Sequence, residues 1–194
     1  AELVLTEGKL GMSGAIAKAK QLNEEIEGSV IMGQFENPAN PAVQREMTGK
    51  EILRQVEGAI DGFCAGIGTG GTITGIGETL KKANPHIEIW AVEPENAAIL
   101  SGGHIGTHIQ MGIGDGLIPP ILNEEIYDDV CVITDAEALE TAKELARKEG
   151  IMCGISSGTN VAAAKRLAKK LGKGKTVVTV LPDTAERYFS TALI

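Results

Sequence analysis

The stretch that most constrains this chain is Gly66–Gly75, GIGTGGTITG: five glycines, three threonines and no charged side chain in ten residues. An apolar run, Asp61–Ile67, leads into it, and helical spacing from about Thr72 to Lys82 leads out. A strand that turns through glycines directly into a helix aims bare backbone amides at one point. The helix N-terminus adds roughly half a positive charge there. Such a corner belongs in an α/β fold and is built to approach an anion. A plain strand-to-helix turn needs fewer glycines than this, and 25 glycines in 194 residues show no collagen-like period.

The rest of the pattern agrees. Short apolar runs at Leu3–Thr6, Ser29–Phe35, Asp61–Ile67, Ile87–Val92, Asp129–Ile133 and Thr176–Leu181 read as strands. Helical spacing covers Met12–Glu27, Pro41–Val56, Thr72–Lys82, the stretch from the Thr134–Glu137 capping box to Gly150, and Ser157–Leu171. Strand–helix alternation predicts a parallel, doubly wound sheet with helices on both faces. Ligands in such sheets lie beyond the strand carboxyl ends, here the loops after Ile67, Val92 and Leu181. Residues 101–120 carry six glycines and two prolines without periodicity and read as a functional loop.

Composition excludes several partners. A net charge of −8 and only six aromatic residues argue against nucleic acid and anionic membranes. No apolar run approaches the length of a membrane span. Cys64, Cys131 and Cys153 are scattered within apolar runs, with neither zinc nor disulfide spacing, and read as core thiols in a reducing cytoplasm. The chain opens AELVLTEG without Met, which reads as a segment of something longer.

The glycine corner allows several ligands. A Walker A loop needs a lysine, and none lies between Lys50 and Lys81. The dinucleotide fingerprint G-x-G-x-x-G is met by residues 66–71, with Glu93 placed to bind a ribose, so an NAD(P)-dependent oxidoreductase domain is one reading. A phosphate held by amides and threonine hydroxyls of Gly68–Thr72 is another, and a non-catalytic anion-binding module a third. Gly154–Gly158 spells the G-x-S-x-G nucleophile elbow. His86, His104 and His108 all precede Ser156, against the order a hydrolase needs, so these serines read as helix caps.

Five motifs carry a resemblance: GTGGT (68–72), QFENPANP (34–41), GIGDGLIP (112–119), EGIMCGISSGTN (149–160) and LPDTAERYFSTAL (181–193). In this order the chain resembles fold-type II pyridoxal-phosphate enzymes, the tryptophan synthase β group, and within it the cysteine synthase (O-acetylserine sulfhydrylase) family. The resemblance implies pyridoxal 5'-phosphate as cofactor, its phosphate on Gly68, Thr69, Gly70, Gly71 and Thr72, with Thr184 facing the pyridine nitrogen. It implies Gln34 near the carboxylate of a small amino-acid substrate and Gly112, Ile113 and Gly114 as a lining loop. The implied reaction is β-replacement: acetate leaves O-acetylserine and sulfide takes its place, giving L-cysteine. A homodimer is implied too, with the C-terminal tail of serine acetyltransferase as a partner at the site mouth.

The departures are Ala185 for the family's Gly, Phe189 for Leu, Lys50 for Pro and Met111 for Gln. Ala185 is expected to reshape the turn behind Thr184, and Met111 removes a polar group from the site. No lysine here has the family's Schiff-base context. The chain is therefore expected to hold residues 1–35 as a remnant of the small N-terminal domain and 36–194 as the large cofactor-binding domain. About a third of the enzyme is expected to lie upstream, leaving this piece without a catalytic residue for turnover on its own.

Overall fold

A computed structural model describes residues 1–193. Four parallel strands form one sheet in the order β3-β2-β1-β4: β1 Gly62–Gly66, β2 Glu88–Pro94, β3 Asp129–Ile133 and β4 Val177–Thr179. Register is set by Gly62 opposite both Glu88 and Val177, and by Trp90 opposite Asp129. The strands read as continuous apolar runs because both faces are covered.

Period-two alternation splits their side chains between two cores. Cys64, Trp90, Val92, Cys131 and Ile133 face α5 (Asp135–Glu149) and α6 (Ile155–Leu171). Phe63, Ala65, Ile89 and Ala91 face α4 (Gly71–Ala83) through Ile73, Ile76 and Leu80. The doubly wound α/β architecture expected from the sequence is the one observed.

The capping box holds: Thr134 accepts from the Glu137 amide at 3.1 Å, and Gly150 closes α5 with φ +69°. Outside α4 lies one helical stretch, α2 (Ala39–Val43), a π turn (Gln44–Thr48) and α3 (Gly49–Gln55). The Thr79 hydroxyl reaches the Arg45 carbonyl in that π turn at 3.0 Å.

Three expectations need correction. Leu3–Thr6 and Ser29–Phe35 form no strands. A strand needs a neighbour to receive its amides, and nothing pairs with these segments among the described residues. They flank α1 (Gly11–Glu25), none of whose residues is buried. The serines of residues 156–157 do not cap α6: Gly154 is the cap residue, and both serines lie inside the first turn, buried.

Candidate functional site

From the central strand the chain winds one way through β2 and β3. It returns on the other side as β4. The order therefore reverses between the carboxyl ends of β1 and β4, where a crevice must open. A cavity of about 330 Å³ lies there. Gly66, Gly68, Thr69, Gly70 and Thr72 line it after β1, and Val180, Pro182 and Asp183 after β4. Met111, Gly112 and Ile113 close a third side, and Ser156 and Asn160 of α6 complete it. No lysine or arginine lines it among the described residues.

The glycine corner is shaped by close approach. Gly70, the N-cap of α4, has φ +80°, which only glycine adopts without strain. A Cβ on Gly68 would strike the Gly112 carbonyl, and one on Gly71 would strike the Asn40 side chain. The first amides of α4 have no carbonyl four residues back within the helix, so they await another acceptor. Thr69 Oγ1 accepts from Asn40 Nδ2 at 2.9 Å and from the Gly71 amide at 3.3 Å. Both of its acceptor positions are then filled, and its own proton is free for the cavity. A cup of amides and hydroxyls in a wall without cations fits a phosphate ester.

Two side chains that sequence reading passed over hold this arrangement. Asn40 Nδ2 also donates to the Gln34 carbonyl at 2.9 Å, tying the QFENPANP loop to the cup. Asn160, nearly buried, accepts from the Gly66 amide through Oδ1 at 2.8 Å. Its Nδ2 donates to the Val180 carbonyl at 2.8 Å. One amide thus sets the gap between the ends of β1 and β4. Both asparagines sit in quoted motifs; Thr69 is 29 residues from Asn40, and Gly66 and Val180 are 94 and 20 from Asn160, and no local pattern marks such pairs.

The other named residues fall in different places. Ser156 is 3% exposed, lines the cavity, and makes no side-chain hydrogen bond among the described residues. Thr184 is exposed and outside the lining. Gln34 is exposed and lines a separate, mostly apolar groove of about 440 Å³ between α1 and residues 31–36. That groove is the larger of the two. The smaller cavity is the stronger candidate because polar groups converge on it from four segments. Gly114 lies behind the wall, its amide donating to the Ile67 carbonyl at 2.9 Å and its carbonyl facing His108 Nε2 at 3.2 Å. His108 Nδ1 accepts from the Gln110 amide at 3.2 Å.

Asp183 Oδ2 accepts from the Tyr188 hydroxyl at 2.6 Å, while Oδ1 is buried with no partner among the described residues. Burial, reinforced by the bond to Asp183 and its charge, pushes the Tyr188 phenol up to about 12. Near Gly68, burial pushes the Asp115 carboxyl up, with His108 pulling the other way.

The carboxylate that a dinucleotide site would require is spent elsewhere. Glu93 is buried, and its oxygens accept from the Leu100 amide at 2.9 Å, the Ser101 amide at 3.0 Å and the Ser101 hydroxyl. It pins the start of the long loop and is closed to a ribose. The oxidoreductase reading loses its support. No cluster of three His, Cys, Asp or Glu side chains suited to a metal occurs among the described residues, and none of their helices is long and apolar enough to cross a membrane.

Comparison with known proteins sharpens the picture. The family model described as "Pyridoxal-phosphate dependent enzyme" matches residues 1–183. A cysteine synthase from Staphylococcus aureus (strain Mu50 / ATCC 700699) is 55% identical over all 194 residues, which cover 62% of that protein. The chain thus spans less than two thirds of the length of the curated relatives it matches. The crystal structure of an O-acetylserine dependent cystathionine beta-synthase from Helicobacter pylori superposes with a TM-score of 0.94 at 40% identity, over 98% of this chain and 62% of that one. A cysteine synthase (OASS) from Entamoeba histolytica gives 0.93 at 41% identity, over 100% and 57%.

Proposed function

Because the chain belongs to the family of pyridoxal-phosphate dependent enzymes, we propose that it is the cofactor-binding part of a cysteine synthase. The full-length protein then exchanges the acetate of O-acetylserine for sulfide and releases L-cysteine. The observation that carries this reading is the cavity at the sheet's switch point, whose glycine corner offers amides and hydroxyls but no cation. The identity to a cysteine synthase over the whole chain supports the choice within the family.

When bound, pyridoxal phosphate supplies the electron sink for replacement at the β-carbon of an amino acid. Gly68, Thr69, Gly70, Gly71 and Thr72 would hold its phosphate, with the free Thr69 proton as one donor. Asn40 keeps Thr69 turned for that role. The resemblance assigns Thr184 to the ring nitrogen, and Ser156 adds a further hydroxyl inside the cavity. A neutral hydroxyl there does not hold a ring nitrogen protonated as a carboxylate would, which suits β-elimination over transamination. Gly112 and Ile113 form the wall beside the cup, and the small residue at 112 leaves room for substrate.

Residues 1–35 we assign to a smaller N-terminal domain, supported by their exposed apolar side chains and the groove beside α1. Residues 36–194 form the large domain. The homodimer and the acetyltransferase tail at the cavity mouth are proposals carried by family resemblance. Buried, free Cys64, Cys131 and Cys153 suit a reducing compartment, and we place the protein in the cytoplasm.

The test is direct. Full-length protein supplied with O-acetylserine, sulfide and pyridoxal phosphate should form cysteine. Thr69→Val and Thr72→Val should each weaken cofactor binding about tenfold, the worth of one charge-assisted hydrogen bond. Cofactor affinity unchanged in both variants would refute the cup.

A further inference from the structure

Between Gly103 and Pro120 the chain has no regular structure, yet one polar side chain in it is completely buried: Gln110, 0% exposed. Its Nε2 donates to the Ile133 carbonyl at the end of β3 (3.0 Å) and to Asp135 Oδ1 at the start of α5 (2.9 Å). Its Oε1 accepts from the Thr159 hydroxyl of α6 at 2.8 Å. Thr159 is itself fully buried, and its single proton favours this bond over the longer 3.3 Å contact to the Ile155 carbonyl. Asp135 Oδ2 takes the preceding amide, Ile109, at 3.1 Å. Every polar atom of the Gln110 amide is used.

We infer that Gln110 is a positioning residue, a latch that fixes the cavity wall Met111–Ile113 in register. The next anchor downstream is the Gly114 amide on the Ile67 carbonyl. Three residues lie between the two anchors, Met111, Gly112 and Ile113, and all three line the cavity. Gly112 presses its carbonyl on Gly68, and Ile113 packs on Gly66. Any slip of the wall therefore reaches the cup itself.

Burial alone does not call for an amide. An apolar side chain of similar volume would fill the pocket without desolvation cost. What the amide adds is selectivity for one arrangement: two acceptors wait on one side and one donor on the other. A shift by one residue would bring the Met111 thioether or an Ile109 side chain into the pocket, and neither can donate to Asp135 and Ile133. Thr159 and Asn160, adjacent on α6, thus hold two walls of one cavity, Thr159 through Gln110 and Asn160 through Gly66 and Val180.

This inference rests on the cavity being the substrate site, and its test separates the two claims. Full-length wild type is compared with Gln110→Met and with the double variant Gln110→Leu, Thr159→Val, which also removes the hydroxyl that donates to Gln110. Amide hydrogen exchange at 111–114 should quicken about tenfold or more in both variants, as expected when local opening becomes cheaper. KM for O-acetylserine should rise about tenfold with kcat within about threefold, the signature of lost ground-state positioning. The double variant should regain the part of the thermal midpoint that the stranded Thr159 hydroxyl costs, while keeping the raised KM and fast exchange. If KM and exchange return with stability, or exchange at 111–114 stays at the wild-type rate in Gln110→Met, the latch is overturned. Wild type inactive toward O-acetylserine sinks the cysteine synthase reading and leaves the exchange result to judge the latch.

Discussion

Residues 1–34 and residues 60–180 are written in the same apolar vocabulary and end in opposite states. Leu3, Leu5, Val30 and Met32 are exposed by three quarters or more, whereas Phe63, Ile73, Ile89 and Ile133 are fully buried. Neither β-propensity nor local hydrophobicity separates the two regions. The difference is company: β1 has a parallel strand on each side and helices above and below, and Leu3–Thr6 has none of these. A strand is a property of a pair, and a core is a property of at least two layers.

The largest test makes the same kind of cut in both regions of the 194-residue chain. Phe63→Ala should lower stability by about 3–5 kcal/mol, transfer and cavity terms together. Leu5→Ala, at a residue 80% exposed, should change it by less than about 0.5 kcal/mol. Urea denaturation followed by Trp90 fluorescence reads both. Repeated in the full-length protein, the Leu5 cut should become expensive if the rest of the molecule covers it. A small effect there too would deny residues 1–35 a place in a packed domain.

What the sequence could and could not announce follows the same division. The strands at 62–66, 88–94 and 129–133 and the helices α4, α5 and α6 were legible because each apolar run is bounded by its own turn or cap signals, and because helices at both faces let the runs be continuous. β4 is shorter than its pattern suggests, three residues on the sheet edge. The glycine corner was legible as a strand-to-helix turn facing a cavity because its chemistry is local. Asn40, Asn160 and Gln110 were not, since each has a partner 20 residues or more away along the chain. Ser156 was hidden by its motif, which reads as a cap. Only the cavity shows which way it faces. Glu93 was misleading for the converse reason: its position fits a ribose, but its oxygens are already filled by the Leu100 amide and by Ser101.

A smaller cut compares two asparagines. Asn160→Ala strands the part-buried Gly66 amide and Val180 carbonyl, and should cost about 1–3 kcal/mol, as expected for incompletely desolvated groups left unpaired. Asn23, near the end of α1, accepts from the Ser29 hydroxyl at 3.0 Å in the open, where water replaces the bond. Asn23→Ala should stay within about 0.5 kcal/mol. Equal effects in denaturation midpoints would mean that exposure does not rank these contacts.

pH offers a third contrast. Burial pushes the Cys64 thiol up to about 12 from an ordinary value near 9. Between those values the unfolded chain has lost a proton that the folded chain keeps, so the slope of stability with pH is negative. The contribution is complete below pH ~9 and is lost as pH rises toward 12. Tyr188, raised to about 12 from 10, adds to the loss in the upper part of that window. Cys64→Ala should flatten the alkaline limb of a midpoint-versus-pH curve; an unchanged limb would show that the thiol is hydrated.

The smallest effect bears on why α1 and α5 differ although their surfaces do not. Lys148 pairs with Glu144 at 2.9 Å across one turn of α5, and Gln21 bonds Glu25 at 2.7 Å across one turn of α1. If such pairs decided whether a helix is held, α1 and α5 would be held alike. Lys148→Ala should shift stability by less than about 0.5 kcal/mol, because the pair is exposed and Lys165 remains on Glu144 at 3.2 Å. A thermal midpoint that falls by several degrees would mean that the surface network, rather than Ala138, Thr141 and Ala142 buried beneath it, fastens α5 to the sheet.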